Sequence, residues 1–328
     1  MDPLVSILIP CYNAERWIAH AIESALAQTW PKKEVIVVDD GSTDRSLDII
    51  KGFDSHIRWE TGPNCGSNPT RNRLLALAQG DWLQYLDADD YLLPEKVAWQ
   101  VEFTRGGSPD IDVIYSPVAR LWIENGTVIC TEAPIPEPRD PWILLALWHL
   151  PQTGGALWRK KAIESVGGWR ADQPCCQEHE LYYRLLAANA HFEYCSRCLA
   201  VYRDLEQNNR ITTWRPLGER VREQLAIIDQ AEKHLAQHSL LTPLRRQAVN
   251  DARHQLARRL WRSDRERAVD IHERILASNR SYVPTVTSWS PRSYSIAYRV
   301  LGFRGAQILE SYIGRDLPNF NFHPLFVP

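Results

Sequence analysis

The sequence predicts an α/β protein, a mostly parallel sheet with helices packed on its faces, followed by a helical C-terminal region. Three observations carry that prediction. Apolar runs of strand length alternate with amphipathic helical patterns through the first part of the chain. Two of those runs end directly on acidic clusters, and beyond residue 216 the apolar spacing is helical alone. The composition agrees, since 328 residues with 44% hydrophobic and 24% charged make an ordinary globular chain, long enough for one large or two medium domains. Disorder, collagen-like and disulfide-scaffold classes are excluded by the plentiful apolar residues and by the lack of a Gly period or Cys density.

Each element follows in order. Leu4 to Ile9 is a short apolar run stopped by Pro10, and Ile18, Ala21, Ile22, Ala25 and Leu26 repeat with helical spacing, so a strand precedes an amphipathic helix. Glu34 to Val38 forms the next strand. The polar Gly41-Ser42-Thr43-Asp44 turn follows, and Leu47, Ile49 and Ile50 mark a second helix. A third strand near Ile57 to Glu60 leads through Gly62-Pro63-Asn64-Cys65-Gly66 into a helix over Thr70 to Ala78. Asp81 to Leu86 reads as a buried strand that delivers Asp87-Ala88-Asp89-Asp90 at its C-terminal end. Pro94 starts a helix reaching Thr104, and Asp112 to Tyr115 is the next strand. Leu121 to Thr131 reads as a hairpin around Asn125-Gly126. Prolines at 134, 136, 138 and 141 mark a surface crossing. Helices are expected over Pro141 to His149, over Lys160 to Val166 and around Glu180 to Ala188, and apolar stretches follow at Phe192 to Cys195 and Leu199 to Tyr202. From Pro216 to Ser278 the inward positions are Leu225, Ile228, Leu235, Leu256, Leu260, Val269, Ile271 and Ile275. The expected organisation is a domain over 1–212, with halves of 1–116 and 117–212, and a helical region over 213–328.

The acidic clusters Asp39-Asp40 and Asp87-Ala88-Asp89-Asp90 would converge at one sheet edge, where ligands of open α/β sheets gather. Like charges held close need a cation or hydrogen-bond donors to offset them, so the pattern points to a divalent metal and a polar ligand such as ribose. Acidic turn formers and helix caps are the bland alternative.

In this order and spacing the motifs resemble family-2 glycosyltransferases, inverting nucleotide-sugar enzymes of the GT-A fold, whose parallel sheet is Rossmann-like. The resemblance runs from residue 4 to about 203. It rests on Val5 to Asn13, Ser24 to Trp30, Val37 to Asp44, Arg71-Asn72, Asp87 to Asp90, Gly167-Gly168-Trp169 and Gln177 to Leu185. It implies that Pro10, Tyr12 and Asp40 line the nucleotide base, Arg71 reaches base or phosphates, Asp87 meets ribose and Asp89 holds Mg²⁺ or Mn²⁺. The family's "ED" base motif aligns with Gln177-Glu178, which makes Glu178 the implied general base, with Trp169 and Glu180 toward acceptor or donor sugar. Two departures stand out: Gln177 removes the first carboxylate, and Leu205 replaces a His, a loss for which Arg203, Asp204 or Glu206 would compensate. The implied partners are a UDP-sugar and a glycan, lipid-linked or small glycoside acceptor in surface polysaccharide assembly. A glycosyltransferase-like binding or scaffold protein is the alternative. A nicotinamide oxidoreductase lacks its G-x-G-x-x-G turn after the first strand.

Charge is uneven. Residues 241–328 hold 14 Arg and 7 acids, or +7, which leaves −9 of the total −2 for the rest. With Trp261, Trp289, Tyr294, Tyr298 and Phe303 in the same region, peripheral contact with an anionic membrane is one expectation, and a solvated or docked helical face is the other. No aromatic-interleaved motif supports nucleic acid. The longest strongly apolar stretch, Trp142 to Leu150, is too short to span a bilayer, and seven scattered Cys suit a reducing compartment, so a cytoplasmic location is expected. Cys195 and Cys198 have zinc-like spacing but no second pair to complete four ligands.

Overall fold

The computed structural model describes residues 2–106, 110–124, 127–204, 215–287 and 290–313. The chain forms two compact units, one of residues 1–139 and 150–207, the other of residues 140–149 and 208–328.

The first unit is built on a sheet of seven strands. Their chain order is β1 (Val5–Cys11), β2 (Lys33–Asp39), β3 (Arg58–Thr61), β4 (Trp82–Tyr85), β6 (Ile111–Tyr115), β9 (Ala156–Arg159) and β10 (His191–Tyr194), and the spatial order is β10-β6-β9-β4-β1-β2-β3. All neighbours run parallel except β9, which is antiparallel to both β4 and β6. The sequence pattern did not announce β9, a four-residue strand between a Gly-Gly turn and a helix. Ile7, Leu8 and Ile9 of β1 are fully buried, as expected of a strand covered on both faces. The helices α1 (Ile18–Leu26), α2 (Ser46–Lys51), α3 (Ser67–Leu77) and α4 (Lys96–Gly106) connect the early strands. Ile18, Ile22 and Ala25 of α1 pack with Ile7 and Ile9 in the main core, so the apolar stripe read from the sequence faces the sheet.

A smaller sheet, ordered β5-β11-β7-β8, is formed by β5 (Tyr91–Leu92), β7 (Val118–Glu124), β8 (Thr127–Ala133) and β11 (Ala200–Asp204). Strands β7 and β8 pair antiparallel with Glu124 opposite Thr127, the register of a two-residue hairpin. The expected turn pair Asn125-Gly126 itself lies outside the described residues.

The second unit is helical. It comprises α5 (Pro141–Ala146), α8 (Leu217–Gln237), α9 (Pro243–Leu260), α10 (Arg265–Ser278) and α11 (Arg292–Ile313), while α6 (Lys160–Ser165) and α7 (Gln177–Ala187) belong to the first unit. Asp140 caps α5 by accepting from the backbone N–H of Trp142 and Ile143, and its other oxygen takes Arg245 Nε at 2.9 Å, which ties α5 to α9. Asp264 and Thr242 cap α10 and α9 in the same way. Every expected inward position is buried except Val269, which is partly buried against the core. The aromatic residues expected on a membrane-facing surface require correction. Trp261, Tyr294, Tyr298 and Phe303 are core residues, since helical periodicity places large rings where most area is removed from water. Trp289 lies outside the described residues.

That core holds two neutral histidines. His254 Nε2 lies 3.0 Å from Tyr294 Oη and His272 Nε2 3.3 Å from Tyr298 Oη. Burial pushes the His272 imidazole down to about 4 and holds His254 well below the usual range, with Arg258 and His272 adding to the effect on His254. An unfolded His titrates near 6.5, so below that pH the unfolded chain binds protons that the folded unit refuses. Stability should therefore fall between about pH 6.5 and 4, by up to about 1.4 kcal/mol per pH unit for each His. Urea denaturation followed by far-UV circular dichroism at several pH values checks this, and His272→Gln should flatten the dependence.

Candidate active site

The strand order reverses at β1, with β2 and β3 on one side and β4 on the other, and the C-terminal ends of these strands define the crevice. Pro10 and the exposed Tyr12 leave β1, Asp39 and Asp40 leave β2, and Asp87 to Asp90 follow β4. Both clusters leave the same edge of the sheet, from strands on either side of β1.

Asp40 is buried and holds the loop after β3. Its Oδ1 accepts from the Cys65 N–H at 2.8 Å and its Oδ2 from the Gly66 N–H at 2.9 Å. Gly41 lets the two segments close on each other. Its φ is +73°, and a Cβ there would come within 2.8 Å of the Asn64 nitrogen and 2.9 Å of the Gly62 oxygen. Asp39 is structural, accepting from Thr61 Oγ1 at 2.7 Å and from the Ser42 N–H.

Arg71 on α3 joins the two sides of the crevice. Buried to 5% exposure, it donates from Nη2 to Asp87 Oδ1 at 2.8 Å, stands 3.8 Å from Glu178 Oε1 and approaches Gln177 Oε1 at 3.4 Å. Burial disfavours its charge, but Asp87 and Glu178 outweigh this and raise its pKa further. The Trp169 ring supports the guanidinium from behind at 4.9 Å. Trp169 is itself only 2% exposed, with its backbone clamped by Asn72 through two hydrogen bonds of 2.7 and 2.8 Å. It thus reaches the crevice through Arg71.

Glu178 sits in the first turn of α7, and Thr153 Oγ1 donates to its Oε1 at 2.6 Å. Glu180 faces another way. Arg184 grips both of its oxygens at 2.7 and 2.8 Å and also donates to the carbonyls of Val166 and Gly168, so Glu180 anchors the Gly167-Gly168 turn to α7.

Thr153 was not legible as a site residue, because its only local signal is the Thr-Gly-Gly turn 25 positions before Glu178. That turn is held from beneath by a buried network. Lys96 Nζ, fully buried, donates to Gln84 Oε1 at 2.7 Å and Gln100 Oε1 at 2.5 Å, while the Gln84 and Gln100 amides donate to the carbonyls of Gly154 and Gly155. Gly155 is required by packing, since a Cβ would come within 2.5 Å of Pro151 Cβ and 2.7 Å of Val118 Cγ2.

Burial pushes the Lys96 ammonium down to about 7, with Cys195 and Cys198 working the other way. An unfolded Lys takes its proton near 10.4, so stability should fall as the pH drops from about 10 to 7, by up to about 1.4 kcal/mol per unit. Lys96→Met should remove that slope in urea denaturation curves taken across the same window.

Arg203 on β11 borders the acidic loop. Its N–H donates to Asp90 Oδ1 at 2.9 Å, its Nη1 to the Asp89 carbonyl at 3.2 Å, and its Nη2 meets His20 Nδ1. Of the three residues expected to replace a His at 205, Arg203 is thus against Asp89, Asp204 pairs with Arg120, and Glu206, like Leu205, lies outside the described residues. All seven Cys are free thiols.

A mostly parallel sheet with acidic residues at the edge beside its switch point is an open α/β fold with a ligand crevice. Residues 6–164 match the family model Glycosyl transferase family 2, and the chain shares the GT-A fold of solved glycosyltransferases. The chain is 36% identical over 128 residues to the Escherichia coli UDP-Glc:alpha-D-GlcNAc-diphosphoundecaprenol beta-1,3-glucosyltransferase WfaP, covering 38% of this chain and 49% of that one. It thus spans about half the length of that relative. Among solved structures it is similar to Staphylococcus aureus TarS 1–349 in complex with UDP-GlcNAc, at a TM-score of 0.60 and 16% identity over 86% of this chain and 94% of that one. It is also similar to the mannosyltransferase PcManGT from Pyrobaculum calidifontis in complex with GDP-Man and Mn²⁺, at a TM-score of 0.54 and 14% identity over 96% and 89% of the two chains. Among the described residues, no helix is long and apolar enough to cross a membrane.

Proposed function

We propose that this chain is an inverting glycosyltransferase that moves one sugar from a UDP-sugar to a hydroxyl of a glycan, a lipid-linked glycan or a small glycoside, in surface polysaccharide assembly. The observation that carries the reading is the Arg71 node, which links Asp87 on the donor side to Glu178 on the acceptor side. The name of WfaP supports both a UDP-linked donor and a lipid-linked acceptor. The reading extends to a cytoplasmic enzyme that meets such an acceptor at the inner face of a membrane.

Pro10 and Tyr12 offer the base an apolar and aromatic surface at the end of β1. A carboxylate can accept about four hydrogen bonds, so Asp40 takes a base N–H while still holding the Cys65-Gly66 loop. Asp87, oriented by Arg71, receives ribose hydroxyls. Asp89 is the carboxylate assigned to Mg²⁺ or Mn²⁺. Hard oxygen donors suit these ions, which use one or two carboxylates and complete their coordination with phosphate oxygens and water. Among the described residues, no cluster of three or more His, Cys, Asp or Glu is arranged to hold a metal. When bound, the ion offsets charge on the leaving diphosphate. Arg203, donating to the Asp89 carbonyl, adds positive charge beside it.

Glu178 is oriented by the Thr153 hydroxyl. It accepts the proton of the acceptor hydroxyl as that oxygen bonds to the anomeric carbon from the face opposite the diphosphate. The anomeric carbon–oxygen bond to the diphosphate breaks, UDP departs with that electron pair, and the configuration inverts.

A panel of nucleotide sugars, with and without Mn²⁺, tests the reading by thermal shift and by UDP release without acceptor. The matching donor should stabilise the chain by about 2.7 kcal/mol at a hundredfold excess over its Kd, should need metal, and should be slowly hydrolysed. Binding without hydrolysis of any donor would instead identify a noncatalytic module, and binding of no nucleotide sugar would overturn both.

A further inference from the structure

We propose that the outward face of α11 is a docking surface for anionic phospholipid. The proposal deepens the lipid-linked reading of the acceptor, but its physical basis is the surface itself. The inward positions of this helix are settled. Tyr294, Tyr298, Phe303 and Ala306 lie in the helical core, Gln307 donates to Tyr294 Oη, and Glu310 pairs with the buried Arg258 at 2.7 Å. The helical backbone breaks at Gly302, with φ 66° and ψ −175°, and both halves keep an apolar exposed side.

The outward positions are Ile296, Val300, Leu301, Ile308, Leu309 and Tyr312, each between 40% and 84% exposed. These are six of the fifteen strongly exposed large apolar side chains among the described residues, so the concentration on one helix is not the ordinary scatter of a soluble surface. The exposed charges of α11 are Arg292, Arg299 and Arg304. The one acid of the helix, Glu310, is turned to Arg258, so the described outward face carries cations and apolar groups with no carboxylate. Several arginines elsewhere in this unit are paired with acids, as Arg245 to Asp140, Arg253 to Asp229 and Glu232, and Arg274 to Asp270.

An apolar strip flanked by arginines alone suits the headgroup region of an anionic bilayer, where the aliphatic groups enter the acyl boundary and the guanidinium groups meet phosphate. A second copy is the poorer occupant. A two-fold contact through this face would set arginine against arginine with no acid between them.

Flotation of the full chain with phosphatidylcholine vesicles, with and without phosphatidylglycerol, at low and high salt, tests the proposal. Binding should require the anionic lipid, and salt should weaken it. Val300→Glu with Leu301→Glu should abolish it, and each of Arg292→Gln, Arg299→Gln and Arg304→Gln should weaken it about fivefold, the equivalent of about 1 kcal/mol. Ile123→Glu, at an exposed apolar position of the first unit, should leave it unchanged. Equal binding to both lipid types, or binding that survives the double variant, would overturn the proposal. So would a concentration-dependent dimer that the double variant breaks, or capture of a polyanionic protein that neutral and anionic vesicles alike fail to displace. Nucleotide-sugar binding by the variants in lipid-free solution separates the two readings, since it should persist whether or not the membrane surface is correctly assigned.

Discussion

Glu178→Gln should lower turnover by roughly 10²-fold or more, the loss expected when a general base is removed, while donor affinity stays near that of the parent chain. The amide keeps the shape of the side chain and can still accept from Thr153 Oγ1, which now donates to Glu178 at 2.6 Å, so the local geometry has reason to survive. What is lost is the ability to take the acceptor proton. Glu180→Gln should behave in the opposite way. Glu180 is 5% exposed and held by Arg184 through both oxygens, so the amide leaves a partly buried guanidinium short of its counter-charge and should cost about 3 kcal/mol of stability. Steady-state kinetics on folded protein, set beside urea denaturation of both variants, checks the pair. A larger turnover loss at 180 than at 178 would overturn the assignment of the base.

Asp89→Ala should abolish the metal-supported part of donor binding and leave the fold intact. Asp89 is half-buried, and its backbone carbonyl accepts from Arg203 Nη1. Asp90, by contrast, is buried and accepts from the Arg203 N–H through its side chain, so Asp90→Ala should destabilise the loop itself. Isothermal titration with a nucleotide sugar, with Mn²⁺ and with chelator, distinguishes the two. Retention of a full metal effect in Asp89→Ala would show that another group holds the ion.

Most of the sheet was legible because its strands are local apolar runs. β1, β2, β4 and β6 each read as such, and the acidic residues directly after β2 and β4 had to emerge at the edge where those strands end. β9 was not legible. Its four residues join the middle of the sheet by pairing antiparallel with β4 and β6, partners about 75 and 45 residues away, and pairing at that distance leaves no local periodicity.

The site divides along the same line. The sequence, through its resemblance to family-2 glycosyltransferases, singled out the residues proposed to carry the chemistry: Asp40, Asp87 and Asp89 after strands, Arg71 in the third helix and Glu178 just ahead of the helix expected around Glu180 to Ala188. Their residue types and spacing are local properties of the chain. Only the tertiary structure decided how they are partnered: that Arg71 bridges Asp87 and Glu178, that Thr153 orients the base, that Glu180 is spent on Arg184, and that Tyr294, Tyr298 and Phe303 of α11 are core while Tyr312 and the larger aliphatic side chains face outward. The physical reason is that a polar contact of about 3 Å depends on which distant elements the packed core brings together, and the outcome of that packing is not encoded in the neighbours of any one residue.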